Sequence, residues 1–176
     1  ESYSVYLDLE ADITDRFNVG VAVRAEDYSD FGDTTSGKVS ARYDFNDAVA
    51  LRGTVSTGFR APSLQQQFFR STATNFIGGV PFDIRTFRVN DTAAVALGAE
   101  QLKAEESKNL SLGLVLQPAE NLYVTVDAYR IDIDDRIMLS ENLTSAAVRA
   151  FLNATVDPAL GGGRYFTNAI DTSTKG

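Results

Sequence analysis

Apolar and polar side chains alternate one for one along much of the chain, the period that puts successive residues on opposite faces of a β-strand. In residues 3–10, Tyr3, Val5, Leu7 and Leu9 share one face while Ser4, Tyr6, Asp8 and Glu10 share the other. From residue 17 on, Phe17, Val19, Val21, Val23 and Ala25 oppose Asn18, Gly20, Ala22, Arg24 and Glu26. Next, Val39, Ala41, Tyr43 and Phe45 oppose Lys38, Ser40, Arg42 and Asp44. A fourth segment sets Val49, Leu51, Gly53, Val55, Thr57 and Phe59 against Ala50, Arg52, Thr54, Ser56 and Gly58. A fifth sets Leu110, Leu112, Leu114 and Leu116 against Asn109, Ser111, Gly113 and Val115, and a sixth sets Leu122, Val124, Val126 and Ala128 against Tyr123, Thr125, Asp127 and Tyr129. No charged residue falls on the apolar face of any of the six, whereas the opposite face carries charge in most of them.

The pattern predicts an all-β chain. A soluble sandwich would turn the apolar face inward against a second sheet; a transmembrane barrel would turn it outward to lipid. Length and connections favour the barrel. The segments approach the roughly nine to eleven residues of a tilted bilayer span, and Tyr3, Phe17, Tyr43, Phe45, Phe59 and Tyr123 stand at segment ends, as in interfacial girdles. Residues 11–16, 46–48 and 117–121 are short connections, while residues 28–36, 60–105 and 132 to roughly 164 are long ones. Strict alternation of the two suits an antiparallel up-and-down meander with tight periplasmic turns and long extracellular loops.

In the stretch TGFRAPSLQQQFF, residues 57–69, Phe59 is then the outer edge of the fourth strand, Arg60 leaves the hydrocarbon, and Pro62 ends ladder pairing because it has no N–H. The tract from Gln65 to Gln67 is read as loop. Charges on the polar face suit a wide, water- or domain-filled lumen that six strands cannot enclose, so the chain reads as part of a larger barrel.

Composition narrows function. The net charge of −8 argues against nucleic acid. The absence of Cys and His removes disulfides, thiol nucleophiles, the usual zinc sites and His-based triads, so neither a catalytic centre nor a cofactor is expected. No window is long and apolar enough for a membrane-spanning helix. No leader-like segment begins at Glu1, and any export signal is expected to lie outside these residues.

Several patches carry a family resemblance. Gly58-Phe-Arg-Ala-Pro-Ser63 resembles a strand end of TonB-dependent outer-membrane receptors. Leu102-Lys-Ala-Glu-Glu-Ser-Lys-Asn109, followed by residues 124–137, is similar to two consecutive strands of that family, with Lys103 a departure where the family often has Pro. Glu26-Asp-Tyr-Ser-Asp-Phe-Gly32 resembles a loop start, and Tyr165-Phe-Thr-Asn-Ala-Ile-Asp171 the lead-in to a further strand. The resemblance implies a partial segment of a barrel of about 22 strands, residues 1–176 forming one incomplete outer-membrane barrel domain. The plug domain, signal peptide and final strands are expected to lie outside it. It also implies, as partners, outer-membrane lipid and lipopolysaccharide, the receptor's own plug, the TonB complex and a nutrient ligand.

Within the long fourth connection, Arg60, Arg70, Arg85 and Arg88 with Gln65, Gln66, Phe68 and Phe69 form the candidate ligand-catching set, guanidinium for anionic groups and rings for flat ones. Phe76, Phe82 and Phe87 lie in the same connection. Gly58, Phe59, Arg60, Ala61 and Pro62 are the strand-end motif. The acidic sets Asp132, Asp134, Asp135 with Glu141, and Asp27, Asp30 with Asp33, lack calcium-loop spacing, so no metal site is assigned. The lumen charges Arg24, Glu26, Arg42, Asp44, Arg52 and Asp127 read as mutually neutralising or plug-holding. Gly161 to Gly163 read as a flexible tip, and residues 144–152 as a short helix with Val148, Phe151 and Leu152 on its apolar side.

The expected function is TonB-dependent import of a scarce nutrient (a ferric siderophore, cobalamin or an oligosaccharide) across a bacterial outer membrane, and the protein is not expected to be an enzyme. A passive porin or translocator barrel and a soluble sugar-binding sandwich are the alternatives.

Overall fold

The computed structural model describes residues 1–29, 32–77 and 79–176. Asp30 and Phe31 of the patch at residues 26–32, Asp30 being also a member of the second acidic set, lie outside the described residues. The described chain forms two compact units, residues 1–60, 106–134 and 171–176 in one and residues 61–105 and 135–170 in the other.

The first unit is built from β1 (Ser2–Thr14), β2 (Phe17–Tyr28), β3 (Gly32–Asn46) and β4 (Val49–Arg60), joined by much of β7 (Glu105–Ala119), β8 (Leu122–Leu139) and β10 (Phe166–Lys175). These seven strands make one open sheet in the order β1-β2-β3-β4-β7-β8-β10. Ladder register carries the uncharged face from strand to strand: Leu7 opposes Val23, Val21 opposes Val39, Val39 opposes Val55, and Leu114 opposes Val126. A one-residue slip in any pair would put that strand's apolar row on the polar side. Val21, Leu51 and Leu112 remain 41%, 36% and 54% exposed, so no layer among the described residues covers this face. Full burial of such a side chain is worth about 1.5–3 kcal/mol. A water-soluble sheet does not forgo that gain over a whole face, and this excludes the sandwich.

The tight connections share a construction. Register shifts interrupt the ladders at Asp12/Thr14, Asp44/Asn46 and Leu116/Ala119, each beside a short turn. At two of these turns a side chain caps the backbone: Thr14 Oγ1 accepts from Arg16 N at 3.3 Å, and Asn46 Oδ1 accepts from Ala48 N at 2.9 Å. Phe17, Tyr43 and Phe45 cluster at this end, with centroid separations of 6.3 Å and 5.0 Å.

Four expectations require correction. The second connection is not long: β3 starts at Gly32, and Thr34 and Thr35 pair with Glu26 and Ala25, because β-branched residues extend the ladder even where the sequence looks loop-like. The sheet has seven strands rather than six, since residues 166–175 form β10. The fourth connection holds structure of its own. Glycines 161–163 are not a flexible tip but the buried centre of a strand.

The second unit contains α1 (Leu64–Phe68), β5 (Ser71–Ile77), β6 (Val80–Thr86), α2 (Thr92–Ala96), α3 (Ala146–Thr155) and β9 (Leu160–Arg164). Strands β5 and β6 form a hairpin, and β9 adds in parallel to β6. Helix α3 matches the expected one and presents Val148, Phe151 and Leu152 to a core of Phe87, Ala94, Leu160 and Tyr165. The glycines of β9 admit these rings and a carbonyl. A Cβ at Gly161 would meet Phe82 Cδ1 at 2.5 Å, at Gly162 the carbonyl of Leu143 at 2.6 Å, and at Gly163 Phe87 Cε2 at 2.6 Å.

Candidate ligand-capture site

β4 ends at Arg60, and Pro62 is buried with its carbonyl accepting from Gln67 Nε2 at 3.0 Å. Gly58 lies close to Ser107, Ala61 is half-buried, and the Phe59 ring meets Tyr28 edge-on at 6.0 Å.

Ser63 then starts α1 with a capping box, its hydroxyl accepting from Gln66 N at 3.1 Å while Gln66 Oε1 accepts from Ser63 N at 3.0 Å. Gln66 is therefore engaged in holding the helix. Arg85 is engaged too: its Nη2 meets Asp157 Oδ2 at 2.9 Å and its Nε donates to Thr72 Oγ1 at 3.1 Å. The backbone N–H of Ala159, and after it the Arg85 guanidinium, hold the Asp157 carboxyl below the ordinary aspartate range against the opposing effect of burial. Phe87 belongs to the core, while Phe82 lies half-buried under the Arg149 guanidinium at 5.6 Å.

Arg60 is exposed at the end of β4, and further along the connection Gln65, Phe68, Phe69, Arg70 and Arg88 are exposed. The Ser71–Thr86 rung of the hairpin and the Val89 N to Gln67 O bond of 3.3 Å bring residues 68–70 alongside residues 87–88. Neither Arg70 nor Arg88 has an ion-pair partner among the described residues.

Beside this strip lies a cleft of about 440 Å³. Phe68, Val89, Val95 and Leu102 provide its apolar walls, and Gln67, Asn90 and Gln101 its polar ones. Of these only Phe68 belongs to the candidate set. Gln67 and Leu102 fall in stretches read for other reasons, Val89, Asn90, Val95 and Gln101 in none, and the Gln67–Val89 backbone bond joins these distant parts of the chain.

On the polar face of the sheet the charges pair as the sequence suggested: Arg24 with Glu26 at 2.7 Å, Arg42 with Asp44 at 2.8 Å, and Arg52 with Asp127 at 2.8 Å. Tyr6, Asp8, Arg24, Ser36 and Lys38 line an open depression of about 400 Å³ on that face. At the end of β7 and β8 away from the tight turn, Lys108 binds Asp134 and Arg130 binds Asp132, so two members of the first acidic set are held by cations.

An open antiparallel wall with one bare uncharged face and one ion-paired face, carrying a folded loop unit, defines a segment of a transmembrane barrel. Residues 1–176 match the family model described as TonB dependent receptor-like, beta-barrel, and the chain belongs to that family. It is 25% identical over 154 residues to a protein named probable TonB-dependent siderophore receptor PirA of Acinetobacter baumannii, a match covering 86% of this chain and 19% of that protein. The crystal structure of the siderophore receptor PirA from Pseudomonas aeruginosa superposes with a TM-score of 0.74 at 17% identity, covering 99% of this chain and 30% of that one. A variant of the ferric enterobactin receptor PfeA from Pseudomonas aeruginosa, in complex with enterobactin, gives 0.74 at 15% identity, covering 99% and 23%. At such identities the structures speak for the fold alone, and this chain spans less than a third of each relative's length.

Proposed function

We propose that the chain is part of a receptor that imports a ferric siderophore across a bacterial outer membrane, driven by TonB, with no catalytic step of its own. The observation that carries this reading is the uncharged face running through register from β1 to β4 and along β7 and β8, left exposed by the described residues. Such a face fits acyl chains, and the ion-paired face opposite fits a lumen closed by the receptor's own plug. The loop unit supports selective capture, since it has a core that fixes its shape and an exposed strip of rings and guanidiniums. PirA is named a siderophore receptor and PfeA a ferric enterobactin receptor, which favours iron over cobalamin or oligosaccharide. Outer-membrane lipid, lipopolysaccharide, the plug and the TonB complex are the partners this reading requires.

The test is uptake of radiolabelled ferric siderophores by iron-starved cells carrying or lacking the full-length gene. Gene-dependent uptake that stops on removal of TonB is the expected result. Uptake indifferent to TonB would make the barrel a passive pore, and gene-dependent uptake of cobalamin or oligosaccharide alone would reassign the nutrient.

A further inference from the structure

We propose that the cleft between α1 and residues 89–102 binds the uncharged, amide-bearing part of the ligand and thereby selects which chelate is accepted. The proposal rests on the uptake reading above and narrows its substrate class. No lining residue ionises: the polar walls are the carboxamides of Gln67, Asn90 and Gln101, and the rest are apolar. A carboxamide presents a donor and an acceptor together, so it matches a neutral group that does both. A carboxylate or phosphate entering here would lose hydration and meet no compensating cation. Arg70 and Arg88, although close by along the chain, do not line the cleft.

The walls are prepared for occupancy. Gln67 Nε2 donates to the Pro62 carbonyl at 3.0 Å, which fixes the carboxamide and leaves Oε1 as its accepting atom, and Val89 and Leu102 are themselves buried. Phe68 and Val95 stay 49% and 55% exposed, an apolar surface that a bound ring or methylene chain would cover. The volume lies within the roughly 300–1,000 Å³ of small-molecule sites.

The experiment uses the full-length receptor in detergent and two probes, a neutral ferric tris-hydroxamate and a trianionic ferric tris-catecholate. Binding is measured at low and high salt for wild type, for Asn90→Leu combined with Gln101→Leu, and for Gln101→Glu, with thermal midpoints recorded for each. Wild type is expected to prefer the neutral chelate with little salt dependence, and the double variant to bind it about tenfold or more weakly, as when buried polar groups lose their partner. If the double variant does not fold, Gln101→Glu, a change at an exposed position, is expected to show the same loss. Preference for the trianion, or variants that bind the neutral chelate like wild type, would overturn the proposal. Energised uptake of the catecholate alongside either result would leave the transport reading standing, whereas no energised uptake of any ferric chelate would remove both.

Discussion

Arg52 on β4 and Asp127 on β8 are ion-paired at 2.8 Å although β7 runs between their strands. The pair passes over Gly113, where a Cβ would stand 2.7 Å from Arg52 Nε and collide with the Asp127 carboxylate. The polar face is thus tied across three strands at a point where β7 has no side chain.

The two parts of this arrangement differ in worth. The side chains are 49% and 44% exposed, so the ion pair itself contributes no more than about 1 kcal/mol. Gly113→Val forces Arg52 and Asp127 out of place and is expected to cost about 1–3 kcal/mol, as overpacking does. Urea unfolding of the full-length receptor should therefore show a clearly larger loss for Gly113→Val than for Arg52→Ala. Equal losses would mean that the close approach is unimportant.

In the loop unit, Gly162→Ala and Gly163→Ala place a methyl against the Leu143 carbonyl and the Phe87 ring. Each is expected to destabilise the loop unit by about 1–3 kcal/mol. Surface proteolysis of intact cells should cut residues 61–105 and 135–170 faster in these variants, while the barrel's thermal midpoint stays near that of wild type. A loop unit as resistant as wild type would contradict the packing described for β9.

Acid should loosen the Arg85–Asp157 tie. Because the folded state holds the Asp157 carboxyl below its unfolded value, its stabilisation is present above the unfolded value, near about 3.9, and is lost as pH falls through the lower folded value. Hydrogen exchange of residues 157–160, corrected for the intrinsic rate, should stay flat from neutral pH to about 5 and rise only below the ordinary aspartate range. Asp157→Asn should exchange faster at every pH and lose the acid-dependent rise. A wild-type rise already at pH 6 would assign the effect to another group.

How legible each part was depends on what enforces it. The faces of the sheet were legible because contact with acyl chains forbids charge at every second residue, a rule that acts locally at Val21, Leu51 and Leu112. Pro62 was legible because it follows the last alternating residues of β4 and has no N–H to donate to a further rung. Gly161 to Gly163 were not, because what requires them to be small is Phe82, Leu143 and Phe87, brought up from elsewhere in the chain. Thr34 and Thr35 looked like loop until their partners on β2 were known. In the candidate site, Arg85 reads as a ligand-seeking guanidinium, but its partner Asp157 comes from a different connection. Gln67, Asn90 and Gln101 meet only through folding.

The most direct test of the account is nitroxide accessibility in bilayers, helped by the absence of cysteine from residues 1–176. Single labels at Val21, Leu51 and Leu112 of the full-length receptor should collide with lipid-dissolved oxygen and be hidden from a water-soluble nickel chelate. Labels at Ser40, Thr54 and Ser111 should show the reverse. Labels at Val21, Leu51 and Leu112 shielded from both reagents would place that face against protein and contradict the membrane-spanning wall.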